Sequence, residues 1–310
     1  MKRQRGLIAA SFMILSILSL SGCASGRFEQ ADVSALDTES LSKLALSARP
    51  AQQQASVNRS INHIRDNPQT KDFTIAVSYP YVITGNMSQT KLERWKRRIQ
   101  RTQAAVKSMY FEKDPADVVQ IWLFKDLASF LQYNQSLWGV SPDTGYGYYF
   151  PEQKRMVMNI ASGGGTLTHE LIHPYIEANF PRSPLWFNEG LASLYEQSFY
   201  EDGKIFGYPN WRLRGLVAAI KADALPSLQT MMKTNRQAFL GPNRAIYYAQ
   251  ARYLMLYLQS RDLLGRYYRQ FGANVASDPT GIDTLLTLSG YSSMERLEHD
   301  WLRYVQGLRF

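Results

Sequence analysis

The chain has 310 residues, 45% of them hydrophobic, with 35 lysines and arginines against 26 aspartates and glutamates for a net charge of +9. That is enough apolar material for one sizeable core, and it excludes an intrinsically disordered chain. A single cysteine, Cys23, excludes an intramolecular disulfide, and basic residues scattered along the chain rather than gathered in a stripe argue against a nucleic-acid partner.

Lys2, Arg3 and Arg5 precede an apolar stretch from Leu7 to Leu20. The stretch is too short and wrongly flanked to span a membrane, so residues 1–22 read as an export signal. The stretch runs into Leu20-Ser21-Gly22-Cys23, which resembles the lipobox of bacterial lipoproteins. The resemblance implies lipid attachment at Cys23 as the new N-terminus, and Ala24 after it implies sorting to the outer membrane. Two or three acyl chains anchor firmly, since each buried methylene contributes about 0.8 kcal/mol. Without residues 1–22 the chain keeps 32 basic and 26 acidic residues, a net charge of +6 that suits residence near anionic envelope polymers.

Residues 23–70 are rich in Ser, Ala, Gln and Asp and read as a polar tether with one or two short helices. Residues 71–310 suffice for one domain, with no repeat at solenoid periods. "FTIAVSYPYVITG" from Phe73 has the β-branched and aromatic character of strands. Residues 89–110 place Leu92, Trp95, Ile99, Ala105 and Met109 at near-helical spacing. "VVQIWLF" reads as a strand, "KDLASFLQYNQSLWG" as a helix closed by glycine, and "GYYFPEQKRMVMNIA" as a hairpin entering Ser162-Gly163-Gly164-Gly165. The rest is mostly helical. A small mixed sheet followed by a helical half is an α+β arrangement.

Two of the four histidines fall in His169-Glu170-x-x-His173. On a helix, residues four apart share a face, so both imidazoles can reach one ion, while Glu170 is placed to contact a water instead. Leu167, Leu171 and Ile172 supply a packing flank. Pro174 removes the amide that would bond the Glu170 carbonyl, so the helix is expected to kink or end there. A catalytic zinc takes three protein ligands. Glu189 in "PRSPLWFNEGLASLYE" is the expected third, because an acid among Trp186, Phe187, Leu191 and Leu194 needs a partner. Gly190 would let the two ligand helices approach closely. Glu177 and Glu196 are expected to be solvated, His63 in the tether has no role, and His299, which could in principle act as a donor, is expected on an acidic, exposed helix face.

His-Glu-x-x-His followed by Trp-Phe-Asn-Glu-Gly-Leu-Ala resembles the gluzincin metallopeptidases, in particular their peptidase MA-like domains, over roughly residues 73–308. The resemblance implies a zincin-like fold and one Zn2+ per chain on His169, His173 and Glu189, with Glu170 as general base. It also implies a tyrosine that steadies the oxyanion, which falls at Tyr248 with Tyr247 as the close alternative. The exopeptidase signature G-x-M-E-N of the related aminopeptidases is absent. "MVMNIASGGG" holds the corresponding edge-strand region without a glutamate, so an endopeptidase acting on envelope peptides or proteins is expected. The competing expectation is a metal-binding envelope lipoprotein that acts as a binding or assembly factor.

Overall fold

In a computed structural model, residues 46–310 are described, and the export signal and Cys23 lie outside them. The helix α1 (Ala51–Asp66) falls within the expected tether. Its large apolar positions, Val57, Ile61 and Ile64, follow helical spacing, and Val57 and Ile64 are fully buried against one face of a sheet. Burying each such side chain contributes about 1.5–3 kcal/mol, which docks an otherwise polar helix. The folded unit therefore begins before Ala51, not near residue 71.

The sheet contains β1 (Thr74–Ser78), β2 (Tyr81–Gly85), β3 (Val119–Phe124), β4 (Gly147–Phe150) and β5 (Arg155–Asn159), in the order β1-β2-β3-β5-β4. The β2–β3 and β3–β5 pairs are parallel, and the hairpin partners β1–β2 and β4–β5 are antiparallel. β4 is thus an edge, whereas β5, the strand expected there, is enclosed between β3 and β4. Period-two alternation divides the central strands between two cores. Val82, Trp122, Phe124 and Val157 face α1 and α3 (Leu127–Trp138). Ile83, Ile121, Leu123, Met156 and Met158 join the main core together with α2 (Gln89–Met109) and α4 (Gly165–Asn179).

α4 carries the histidines and continues past Pro174 to Asn179, so it does not end at the proline. A proline inside a helix costs about 3 kcal/mol. Leu171, Ile172, Tyr175 and Ile176 surround it and are all at most 1% exposed. Four such burials outweigh the lost hydrogen bond.

α5 (Leu185–Leu194) follows, and then a hairpin of β6 (Ser198–Glu201) and β7 (Lys204–Gly207). The remaining helices are α6 (Arg212–Lys221), the short α7 (Leu228–Met232) and α8 (Arg236–Phe239), α9 (Arg244–Ser260), α10 (Leu264–Asn274), α11 (Ile282–Ser289) and α12 (Met294–Gly307). The β6–β7 hairpin was not expected, although Asp202-Gly203 between alternating residues signals one. Both turn residues take positive φ, 48° and 74°, as a two-residue hairpin turn of this kind requires.

Gly190 makes its close approach to α9, not to α4: a Cβ there would lie 3.1 Å from the Ala251 carbonyl oxygen. The α5 end is held by fully buried Arg252 on α9, whose Nε donates to the Ser193 carbonyl at 2.9 Å and Nη2 to the Leu194 carbonyl at 3.2 Å. The architecture is mixed α/β, and no described helix is long and apolar enough to cross a membrane.

Candidate metal centre

α4 and α5 pack against each other and bring the two halves of the motif together. Glu189 Oε2 lies 3.3 Å from His169 Nε2 and 4.0 Å from His173 Nε2, and Glu170 Oε2 lies 3.6 Å from His173 Nε2. The imidazole centroids are 4.9 Å apart and nearly perpendicular. His169, Glu170 and His173 offer ligand atoms within 4.8 Å of one another, a group able to hold a metal ion. Two carboxylates therefore compete for the third position. Glu189 Oε2 is buried with no hydrogen-bond partner, an orphan acceptor facing both Nε2 atoms. An unsatisfied buried carboxylate oxygen is costly, and a cation there removes the cost. The donor set of two imidazoles and a carboxylate with this orphan fits a divalent ion such as zinc.

Each imidazole is oriented by what its Nδ1 meets. His173 Nδ1 is 2.7 Å from Asn188 Oδ1, so an Nδ1–H donating there leaves the Nε2 lone pair directed at the centre. His169 Nδ1 is 3.5 Å from both Glu196 Oε1 and Ser193 Oγ. Glu196 is not solvated as expected: its side chain is 7% exposed. It accepts from Arg212 Nη2 at 2.7 Å and Nε at 3.0 Å, and from Asn210 Nδ2 at 3.0 Å. Burial keeps a carboxylate here only because a two-pronged guanidinium contact compensates it. Glu177, the other competitor, is half-buried away from the imidazoles and pairs with Lys154 Nζ at 3.1 Å.

These contacts set the protonation of the metal-free cluster. Burial alone would lower the His169 imidazole, but the Glu189 and Glu196 carboxylates beside it and the Glu170 charge outweigh it and raise it to about 10. Burial pushes Glu189 and Glu196 up, yet His169 in both cases and Arg212 for Glu196 hold them well below the usual carboxylate range. Glu170 differs. Its burial dominates and its pKa is raised, the direction that suits a group taking a proton near neutrality.

Tyr248 on α9 lines the same cleft beside Glu189. Burial and the neighbouring carboxylate raise its hydroxyl, so it stays a donor. Its ring lies 5.3 Å from the Arg212 guanidinium and 5.6 Å from that of Arg244. Tyr247 instead packs in the core, stacked on Phe239 at 5.7 Å. His63 and His299 are exposed on α1 and α12. The residues that sequence reasoning missed are Asn188, Ser193, Glu196 and Arg212. Only the asparagine beside Glu189 and the acid seven residues beyond it carried any signal.

The centre opens into a cleft of about 920 Å³ bounded by β4, the Ser162–Gly165 loop, α4, α5 and α9. Gly165 permits this closeness, since a Cβ there would lie 2.4 Å from the Glu196 carbonyl oxygen. No protein-family model matches this chain, and no curated protein matches it either.

Proposed function

We propose that the chain is a zinc-dependent endopeptidase with a gluzincin-like arrangement, acting in the bacterial envelope and anchored there through Cys23. The observation that carries this reading is the orphan Glu189 Oε2, 3.3 Å and 4.0 Å from the two Nε2 atoms, with Glu170 beside them and not needed as a ligand. His169, His173 and Glu189 would hold the ion. When bound, zinc supplies Lewis-acid chemistry to the scissile carbonyl and to water.

The chain's own groups do the rest. Glu170, with its raised pKa, accepts a proton from water and returns it to the departing amine. The Tyr248 O–H donates to the carbonyl oxygen as negative charge develops there. Arg212 fixes Glu196 and flanks the Tyr248 ring, so one guanidinium steadies both the imidazole at His169 and the oxyanion donor. The outer edge of β4 has unpaired backbone groups beside the cleft, which suits an extended peptide added by β-augmentation. That strand, "GYYF", carries no glutamate to hold a free amine. The absence supports cleavage within chains.

The test is Glu170→Gln assayed against casein, with zinc measured in the same samples. We expect one zinc retained and the rate lowered by at least about 100-fold, the usual scale for a lost proton-transfer group. Unchanged turnover would refute the reading.

A further inference from the structure

The charges lining the cleft do not balance. Four carboxylates face it, Glu170, Glu177, Glu189 and Glu196. Glu177 is neutralised by Lys154, Glu196 by Arg212, and Glu170 and Glu189 face the imidazoles. Four arginines also line it, Arg98, Arg212, Arg236 and Arg244. With Arg212 engaged, the other three have no carboxylate within ion-pair distance among the described residues.

Arg98 comes from α2 and reaches the cleft beside the Ser162–Gly165 loop. Its one hydrogen bond is a long contact of 3.4 Å from Nη2 to Thr168 Oγ1, and its enclosed Nε has no partner. Gly164 makes room for it: a Cβ at that position would lie 2.5 Å from both Cζ and Nε of Arg98. The guanidinium is therefore seated rather than waving in solvent, one residue from Gly165 at the start of the metal-site helix. Arg236 on α8 and Arg244 on α9 supply charge from a different wall, and Arg244 rests over the Tyr248 ring. A seated guanidinium with spare donors is a carboxylate receptor, because its fork matches the two oxygens.

We propose that the substrate is an acidic peptide, with Arg98 receiving a carboxylate on one side of the scissile bond and Arg236 with Arg244 receiving one on the other. This rests on the peptidase reading for its cleavage step, while recognition stands on the arginines alone. Unpaired positive walls speed the encounter with anionic chains and penalise cationic ones.

The experiment has two arms. In the first, zinc-loaded wild type digests a peptide library made from a denatured proteome, and new termini are mapped by mass spectrometry. We expect aspartate and glutamate to be enriched about threefold or more within a few residues of cleaved bonds. Arg98→Gln and the exposed Arg244→Gln should each bring the enrichment on one flank towards background, with thermal melts confirming that both variants fold. Raising salt to about 0.5 M should erode the preference in the wild type. Enrichment only at the final residue would assign the carboxylate to a substrate C-terminus and still support the receptor. Background frequencies, or enrichment that both variants retain, would overturn the proposal.

In the second arm, zinc-loaded Glu170→Gln is titrated with a labelled glutamate-rich peptide and its glutamine twin. We expect the acidic peptide to bind about tenfold tighter or more, and equal affinity would overturn the proposal. If the wild type cleaves nothing while this difference is observed, the peptidase reading fails and carboxylate recognition stands.

Discussion

Asn188 and Glu196 decide how the two imidazoles are used. Both lie behind the rings, at 2.7 Å and 3.5 Å from the Nδ1 atoms, and turn the Nε2 atoms towards Glu189. Groups in that position fix ligand orientation, and their loss typically costs 10–100-fold in metal affinity. We expect Glu196→Gln to weaken zinc binding on that scale in a chelator competition, whereas Glu189→Ala should abolish stoichiometric zinc. Tyr248→Phe should leave zinc and KM nearly unchanged and lower kcat by about 100-fold or more, the loss of one oxyanion donor. A purely structural tyrosine would instead show a lowered Tm with kcat intact. His169, Glu170 and His173 were legible in the sequence because helical spacing is local geometry. Glu189 was legible because an acid in an apolar helix needs a reason. Glu196 was not, since its burial depends on Arg212 arriving after a hairpin, a contact that no local pattern announces.

Among the elements, α4 and α5 set the site, and a single missing Cβ governs their neighbourhood. Gly165→Ala would put a methyl 2.4 Å from the Glu196 carbonyl oxygen. Backbone must move, so we expect a stability loss of about 1–3 kcal/mol with weakened zinc binding, read by thermal melts and metal titration. Farther away, Asp300 on α12 accepts from the Tyr257 hydroxyl at 2.6 Å and the Tyr291 hydroxyl at 2.5 Å, and pairs with Arg261 and Arg303. Those tyrosines, with the arginines, hold its pKa down at about 2. A carboxyl lowered on folding stabilises the fold above its unfolded value of about 3.9, and the contribution is lost as pH falls towards 2. Asp300→Asn should therefore lower Tm by a few degrees at pH 7 and make no difference near pH 2. An equal deficit at both pH values would show that the carboxylate charge is not the cause.

Over the described residues, a mixed sheet with cores on both faces supports a helical half that carries the candidate metal centre. The strands and long helices were legible because periodicity and caps mark them: Asp126 caps α3 and left-handed Gly139 closes it. α1 was not, because three apolar residues in a polar stretch become a packing face only when a sheet is there to receive them. Helix α4 likewise overrides Pro174 through burial that spacing alone does not weigh. A centre assembled from α4 and α5 couples metal to folding, so saturating zinc should raise Tm. At a thousandfold excess over Kd the gain is about 4 kcal/mol. The arginines that line the cleft come from α2, α6, α8 and α9, so its charge is a property of the folded molecule that no single helix carries.

The central claim is that His169, His173 and Glu189 form one three-ligand site with Glu170 left outside it. Anomalous diffraction at the zinc edge, on crystals grown with zinc, tests it most directly. The account predicts one strong peak about 2.0–2.2 Å from both Nε2 atoms and a Glu189 oxygen, with Glu170 beyond bonding distance. A peak ligated by Glu170 in place of Glu189, or none at these residues, would contradict it.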